Sequence, residues 1–169
     1  MTATKNYMRT ISNHFLQLEI QNPYHYDTLP SSMLIQNWVE AANEQNGESS
    51  VTLRFVDENE GLSLNKDYRQ KSYATNILSF VFDAPILPDG IELNTASHLG
   101  DLVLCVPVIE KEALTQQKSF EQHCAHLIIH GMLHLQGYDH IEESQAHIME
   151  SLEINILEKL DYPNPYTST

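Results

Sequence analysis

The stretch from Ser119 to Gly137 constrains the fold more than any other part of the chain. Ser119 followed three residues later by Gln122 is a capping-box signature, so a helix starts there. Gly137 suits its end, because glycine takes the left-handed conformation without a Cβ penalty. Between the two, Leu127, Ile128 and Leu135 and their apolar neighbours run round nearly the whole circumference. A helix with no polar face to give to water belongs in the middle of a domain. Whatever else the chain makes must cover it, and the spacing predicts a sheet on one side.

The remaining elements follow from periodicity and punctuation. His14–Gln21 alternates apolar and polar residues as a half-buried strand does. Pro30-Ser31-Ser32 opens a helix over Met33–Glu44, with Gly47 as its stop. Ser49–Val56 reads as a second strand, and residues 57–61 as a turn. Ser63 is then the expected cap of a short helix to about Arg69. Asn76–Phe82 and Leu99–Val106 read as strands on either side of a loop at 83–97. Pro107 suits the first turn of a helix reaching about Gln117, and a last amphipathic helix covers Glu142–Leu160. Strands fill the first two thirds and helices the end. The expected fold is α+β: one domain over residues 1–169, with about four strands in a small mixed sheet covered by helices. Its core is expected over about residues 10–160, with 161–169 a tail.

Charge narrows the function. Nine Lys and Arg face 23 Asp and Glu, a formal net charge of −14. A broad basic surface is excluded, so contact with nucleic acid has to be local, through a small positive patch or a metal ion. Three of the nine cations, Lys66, Arg69 and Lys71, lie within six residues. Cys105 and Cys124 sit in apolar stretches, as reduced core cysteines do. The start, MTATKNYMRT, has no apolar stretch, and no run approaches the roughly 18–20 residues that span a bilayer. A cytoplasmic chain without membrane contact is expected.

Six of the nine histidines lie between 123 and 147. His130 and His134 are four apart, which on a helix sets them about 40° apart around the axis and about 6 Å along it. Gly137 then ends the helix, and His140 can turn back towards the same point. Three neutral imidazoles with one open position form a catalytic zinc arrangement, with expected N–metal distances of about 2.0–2.1 Å. No CxxC spacing supports a closed, zinc-finger site. His126 is expected as a hydrogen-bonded neighbour outside the ligand set, and His123 and His147 as helix-surface residues. The spacing matches the metalloprotease pattern H-E-x-x-H-x-x-G-x-x-H except that Gly131 stands where the general base should be. The ligand geometry is kept while the chemistry changes.

The segment HGMLHLQGYDH, preceded by AHLII, resembles the signature of the YbeY family of bacterial endoribonucleases. LNKDYRQKSYATNILSF resembles that family's second motif and LGDLVLC its third, in the same order, over roughly residues 50–160. Gln70, Ser72 and Val81 depart from the second motif, where many relatives carry Gly, Asp and Pro. The resemblance implies a zincin-like central helix and a single-strand-specific endoribonuclease with one zinc. It also implies a role in ribosomal RNA maturation, notably at the 3′ end of the small-subunit RNA, and in ribosome quality control. It implies His130, His134 and His140 as metal ligands and Arg69 as the arginine important for activity. Single-stranded and ribosomal RNA, and with them ribosomal proteins or the small subunit, are the implied partners. Two other readings stay open. One is a metal-dependent peptidase with Asp139 or Glu142 as a displaced base; the other is a non-catalytic ribosome assembly factor whose zinc is structural.

Overall fold

The computed structural model describes residues 16–83, 88–90 and 97–167. Its elements are β1 (Leu16–Gln21), α1 (Ser32–Ala42), β2 (Ser49–Val56), α2 (Glu58–Arg69), β3 (Ile77–Val81), β4 (Ser97–Cys105), α3 (Val106–Thr115), α4 (Phe120–Leu135) and α5 (Glu143–Lys159). The four strands form one mixed sheet in the order β1-β2-β4-β3. β1 and β4 run parallel to β2, and β3 runs antiparallel to β4. This is the expected α+β architecture. Residues 14 and 15 of the first expected strand and most of the 83–97 loop lie outside the described residues.

Alternation along the strands divides the core in two. Val51, Leu53 and Phe55 of β2 turn to the large core with α1 and α4. Val56, Leu78, Val103 and Cys105 turn to a smaller one under α2, with Leu64 and Phe80 packed against it. α4 is the central helix: it touches α1, α3, α5, β3 and β4. Both halves of its capping box form, Gln122 N donating to Ser119 Oγ at 3.1 Å and Ser119 N to Gln122 Oε1 at 3.1 Å. Gly137 ends it at φ 99°.

Two glycines let the layers approach. A Cβ on Gly131 would stand 2.8 Å from Leu102 Cδ2 and 2.9 Å from Ile77 Cδ1, so α4 rests on the sheet at this point. Gly100, at φ 151°, lies where a Cβ would meet the Phe80 carbonyl oxygen at 2.2 Å.

Several expectations are corrected. α1 ends at Ala42 with Asn43 as its cap, so Gly47 is not its stop. α2 begins at Glu58, capped by Asp57, whose Oδ1 accepts from Glu60 N at 2.8 Å. Ser63 therefore lies inside the helix rather than at its start. Gly61 is tolerated there because a Cβ would press on Cys105 Sγ at 3.3 Å. His123 is not a surface residue: it is 3% exposed, with Nε2 bonded to Glu112 Oε1 at 2.9 Å. Burial pushes its pKa down, against the pull of Glu112. His147 is exposed as expected. Cys105 and Cys124 are free and buried, and burial pushes the Cys124 thiol up to about 12.

Candidate metal centre

The sequence of α4 and the turn after it brings three imidazoles together. His130 and His134 lie one turn apart on α4, with ring centroids 4.5 Å apart. Past Gly137 the chain reverses. Tyr138 N donates to Leu133 O at 3.1 Å, and the Tyr138 hydroxyl is held by both carboxylate oxygens of Glu44 at 2.9 Å. Asp139 Oδ1 accepts from His140 N at 2.7 Å and fixes the turn that returns His140. The His140 ring centroid then stands 5.4 Å from that of His130 and 5.0 Å from that of His134. One nitrogen from each ring falls within 4.8 Å of the others.

The outer hydrogen bonds say where the protons are. His134 Nδ1 lies 3.0 Å from Tyr138 O, a carbonyl that only accepts, so Nδ1 carries the proton and Nε2 the lone pair. His130 Nδ1 is bonded to Glu153 Oε1, which sets the same tautomer. The two Nε2 atoms, both stripped of protons by this accounting, face one another at 3.0 Å. Two lone pairs so placed repel unless a cation lies between them. Nitrogens on a tetrahedral zinc stand about 3.3 Å apart, given bonds of about 2.05 Å. The donor set thus fits one borderline-soft divalent ion. Burial, then the nearness of a second titratable imidazole in His130, lowers the pKa of His134 and favours the neutral form that a ligand requires. His140 is 56% exposed at its side chain, so the cluster opens to solvent on that side.

Glu153 of α5 is the residue that sequence reasoning missed. It is fully buried, and its second oxygen accepts the Tyr166 hydroxyl. Burial works to raise its pKa, but His126, His130 and Tyr166 around it hold it at about 2. The signal was present in the pattern. Met149, Glu153 and Leu157 are spaced by four along one stripe of α5, and all three are buried. His126 is, as expected, a hydrogen-bonded neighbour, with Nε2 3.2 Å from the Tyr166 hydroxyl.

Arg69 is exposed at the last turn of α2, as are Lys66 and Lys71 nearby. Residues 70–76 lead from it to Ile77, which packs against Gly131 beside His130. Tyr68 packs edge-on against Phe80 at 5.2 Å. Among the described residues no helix is long and apolar enough to cross a membrane.

The fold and site together define a class: an α+β domain whose central helix offers two imidazoles, completed by a third beyond a glycine stop. The family described as Endoribonuclease YbeY matches residues 17–161. The Endoribonuclease YbeY of Stutzerimonas stutzeri is 50% identical over 138 residues, 81% of this chain and 83% of its own. That of Pseudomonas putida strain F1 is 49% identical over 152 residues, 89% of this chain and 93% of its own. The solution structure of TM1509 from Thermotoga maritima shares the fold, with a TM-score of 0.52, 20% identity and coverage of 87% of this chain and 92% of that one. The chain belongs to the YbeY endoribonuclease family.

Proposed function

We propose that His130, His134 and His140 hold one zinc ion at which this chain, an endoribonuclease by family, cuts single-stranded RNA in the maturation of ribosomal RNA, notably at the 3′ end of the small-subunit RNA, and in ribosome quality control. The observation that carries the reading is the pair of Nε2 atoms 3.0 Å apart, each on a ring whose other nitrogen faces an acceptor. When bound, a zinc ion supplies Lewis acidity towards a phosphoryl oxygen and acidifies water.

The chain's own residues do the rest. Glu153 and the Tyr138 carbonyl keep both helix imidazoles in the donor tautomer and fix their rings. Arg69, exposed at the end of α2, can donate two hydrogen bonds from its guanidinium and is the group assigned to the phosphate as negative charge develops on its oxygens. Lys66 and Lys71 lie beside it to guide the RNA backbone onto an otherwise acidic surface. The partners that follow are single-stranded ribosomal RNA and, around it, the small ribosomal subunit and its proteins. The cytoplasm is the matching compartment.

A peptidase is disfavoured by position 131, which faces Leu102 and Ile77 in the core instead of the site. Asp139, a candidate displaced base, has one carboxylate oxygen committed to its own turn.

The test is metal analysis of purified protein beside single-turnover cleavage of a short single-stranded RNA. Cleavage should disappear on chelation and return with zinc. Arg69→Ala should keep its metal and stability but cleave about 10²–10³ times more slowly, and Arg69→Lys should recover only part of that. Wild-type cleavage in metal-free protein would overturn the assignment, and a normal rate in Arg69→Ala would return Arg69 to an ordinary solvated charge.

A further inference from the structure

The chain does not trail away after α5. The Tyr162 ring packs edge-on against Trp38 at 6.1 Å, and its hydroxyl donates to Glu121 Oε2 at 2.9 Å. Lys118 Nζ donates to Pro165 O at 3.0 Å. Asn164 Oδ1 accepts from Tyr166 N at 2.8 Å and closes a turn. Two anchors therefore precede Tyr166, and they aim its hydroxyl inward at Glu153. Tyr166 remains 44% exposed, so apolar burial is a poor reason for holding it there. The contact that distinguishes its position is polar.

Each proton in this group has one place to go. Ionised Glu153 only accepts, so it takes the single proton of the Tyr166 hydroxyl. The Tyr166 oxygen in turn accepts from His126 Nε2 at 3.2 Å. That leaves the lone pair of His126 on Nδ1, a buried nitrogen without a partner among the described residues. At the other end, Glu153 Oε1 takes the proton of His130 Nδ1 and leaves His130 Nε2 bare, 3.0 Å from His134 Nε2. One chain of donors runs His126, Tyr166, Glu153, a second donor meets Glu153 from His130, and His126 Nε2 also stands 3.8 Å from Glu153 Oε1.

We propose that Tyr166 is a positioning residue of the metal centre, and that residues 162–166 are a strap whose function is to hold it there. The inference rests on the reading that the three histidines hold a metal. A buried carboxylate with one oxygen unpaired is free to swing about its last torsion and is costly to keep. With Tyr166 on Oε2, the carboxylate plane is set and Oε1 stays on His130. Outer partners of this kind tune metal affinity about 10–100-fold. Tyr166 acts one bond further out, so the lower end applies.

The experiment titrates Co²⁺ into full-length, metal-free protein against a chelator of known affinity. Wild type, Tyr166→Phe and Lys118→Ala are compared, with thermal melts of each metal-free protein alongside. Lys118→Ala releases the strap at Pro165 while leaving Tyr166, Glu153 and the histidines intact. Tyr166→Phe is expected to bind Co²⁺ about tenfold more weakly and to shift its visible absorption, as the His130 ring loosens. Lys118→Ala should move both readouts in the same direction by a smaller factor. The metal-free melting temperature of Lys118→Ala should change little, whereas that of Tyr166→Phe should fall, because it leaves a buried carboxylate oxygen without its donor. Tyr166→Phe and Lys118→Ala both binding within about twofold of wild type, with an unshifted spectrum, would overturn the strap while leaving the metal centre standing. Wild type that binds no Co²⁺ would overturn the metal centre itself, and the strap with it.

Discussion

Glu153→Gln tests how the site is built, because it keeps the shape of the side chain and removes only its charge. The amide has one acceptor and one donor end. If its oxygen faces His130, the Nδ1 proton keeps a partner and Nε2 stays bare. Its nitrogen then faces the Tyr166 hydroxyl, which must reverse and give its proton to His126 Nε2, and His126 must move its own proton to Nδ1. If the amide is turned the other way, His130 must accept at Nδ1 and carry its proton on Nε2, where the metal should be. The first orientation wins, and the cost falls on the bond to His130. A hydrogen bond to a charged group contributes about 1.5–3 kcal/mol and a neutral one about 0.5–1.5, so the exchange loses about 1–1.5 kcal/mol. At 1.4 kcal/mol per tenfold, that is about a five- to tenfold loss of metal affinity from this bond alone. The bond tightens when a cation withdraws charge from the imidazole, so the loss appears in the bound state. Competition against a chelator measures it, and urea unfolding of metal-free protein reports any separate effect on the fold. Metal affinity equal to wild type in a folded Glu153→Gln protein would refute the claim that this carboxylate sets the His130 tautomer.

Two other outcomes follow from groups away from the open site. His123 is buried with its pKa below the ordinary 6.5, so the unfolded chain binds its proton first as pH falls. Its contribution to stability is complete above about pH 6.5 and is lost on descending through the folded-state pKa; His123→Gln should flatten the decline in metal-free stability between pH 7 and pH 5, measured by urea unfolding, and an unchanged slope would count against it. Gly131→Glu writes the metalloprotease base into the motif, but its Cβ would already crowd Leu102 and Ile77 at 2.8 and 2.9 Å, with a carboxylate still to bury among apolar groups. It should cost at least about 3 kcal/mol of stability and yield no peptide cleavage; a stable variant with peptidase activity would reopen that alternative.

What could be read from the chain, and what could not, divides by the range of the interaction. The α4 capping box, the Gly137 stop and the β2 strand Ser49–Val56 are written in neighbouring residues, and each appears where its pattern places it. The three histidines are also local, eleven residues from first to last counting both ends, so their convergence needs only a helix and a turn. The α2 cap was misplaced because Asp57 and Ser63 are both good capping residues. The choice between them is made by the packing of Gly61 under Cys105, a contact across 44 positions. His123 looked like a surface residue because nothing near it in sequence shows that Glu112 of α3 will cover it. Glu153 is the instructive case. It lies 23 residues from His130, in a helix with several other acids, and only its place between Met149 and Leu157 marks it. A carboxylate on the buried stripe of a helix demands donors that its own helix does not have. The histidine-rich α4 was the part of the chain with donors to spare, so pairing the unexplained acid with the unexplained cluster was available from pattern alone. The strap was not. That Tyr166 would meet Glu153 depends on Trp38, Glu121 and Lys118 fixing the path of the final segment, and those three residues lie on or beside helices that only the finished fold brings together.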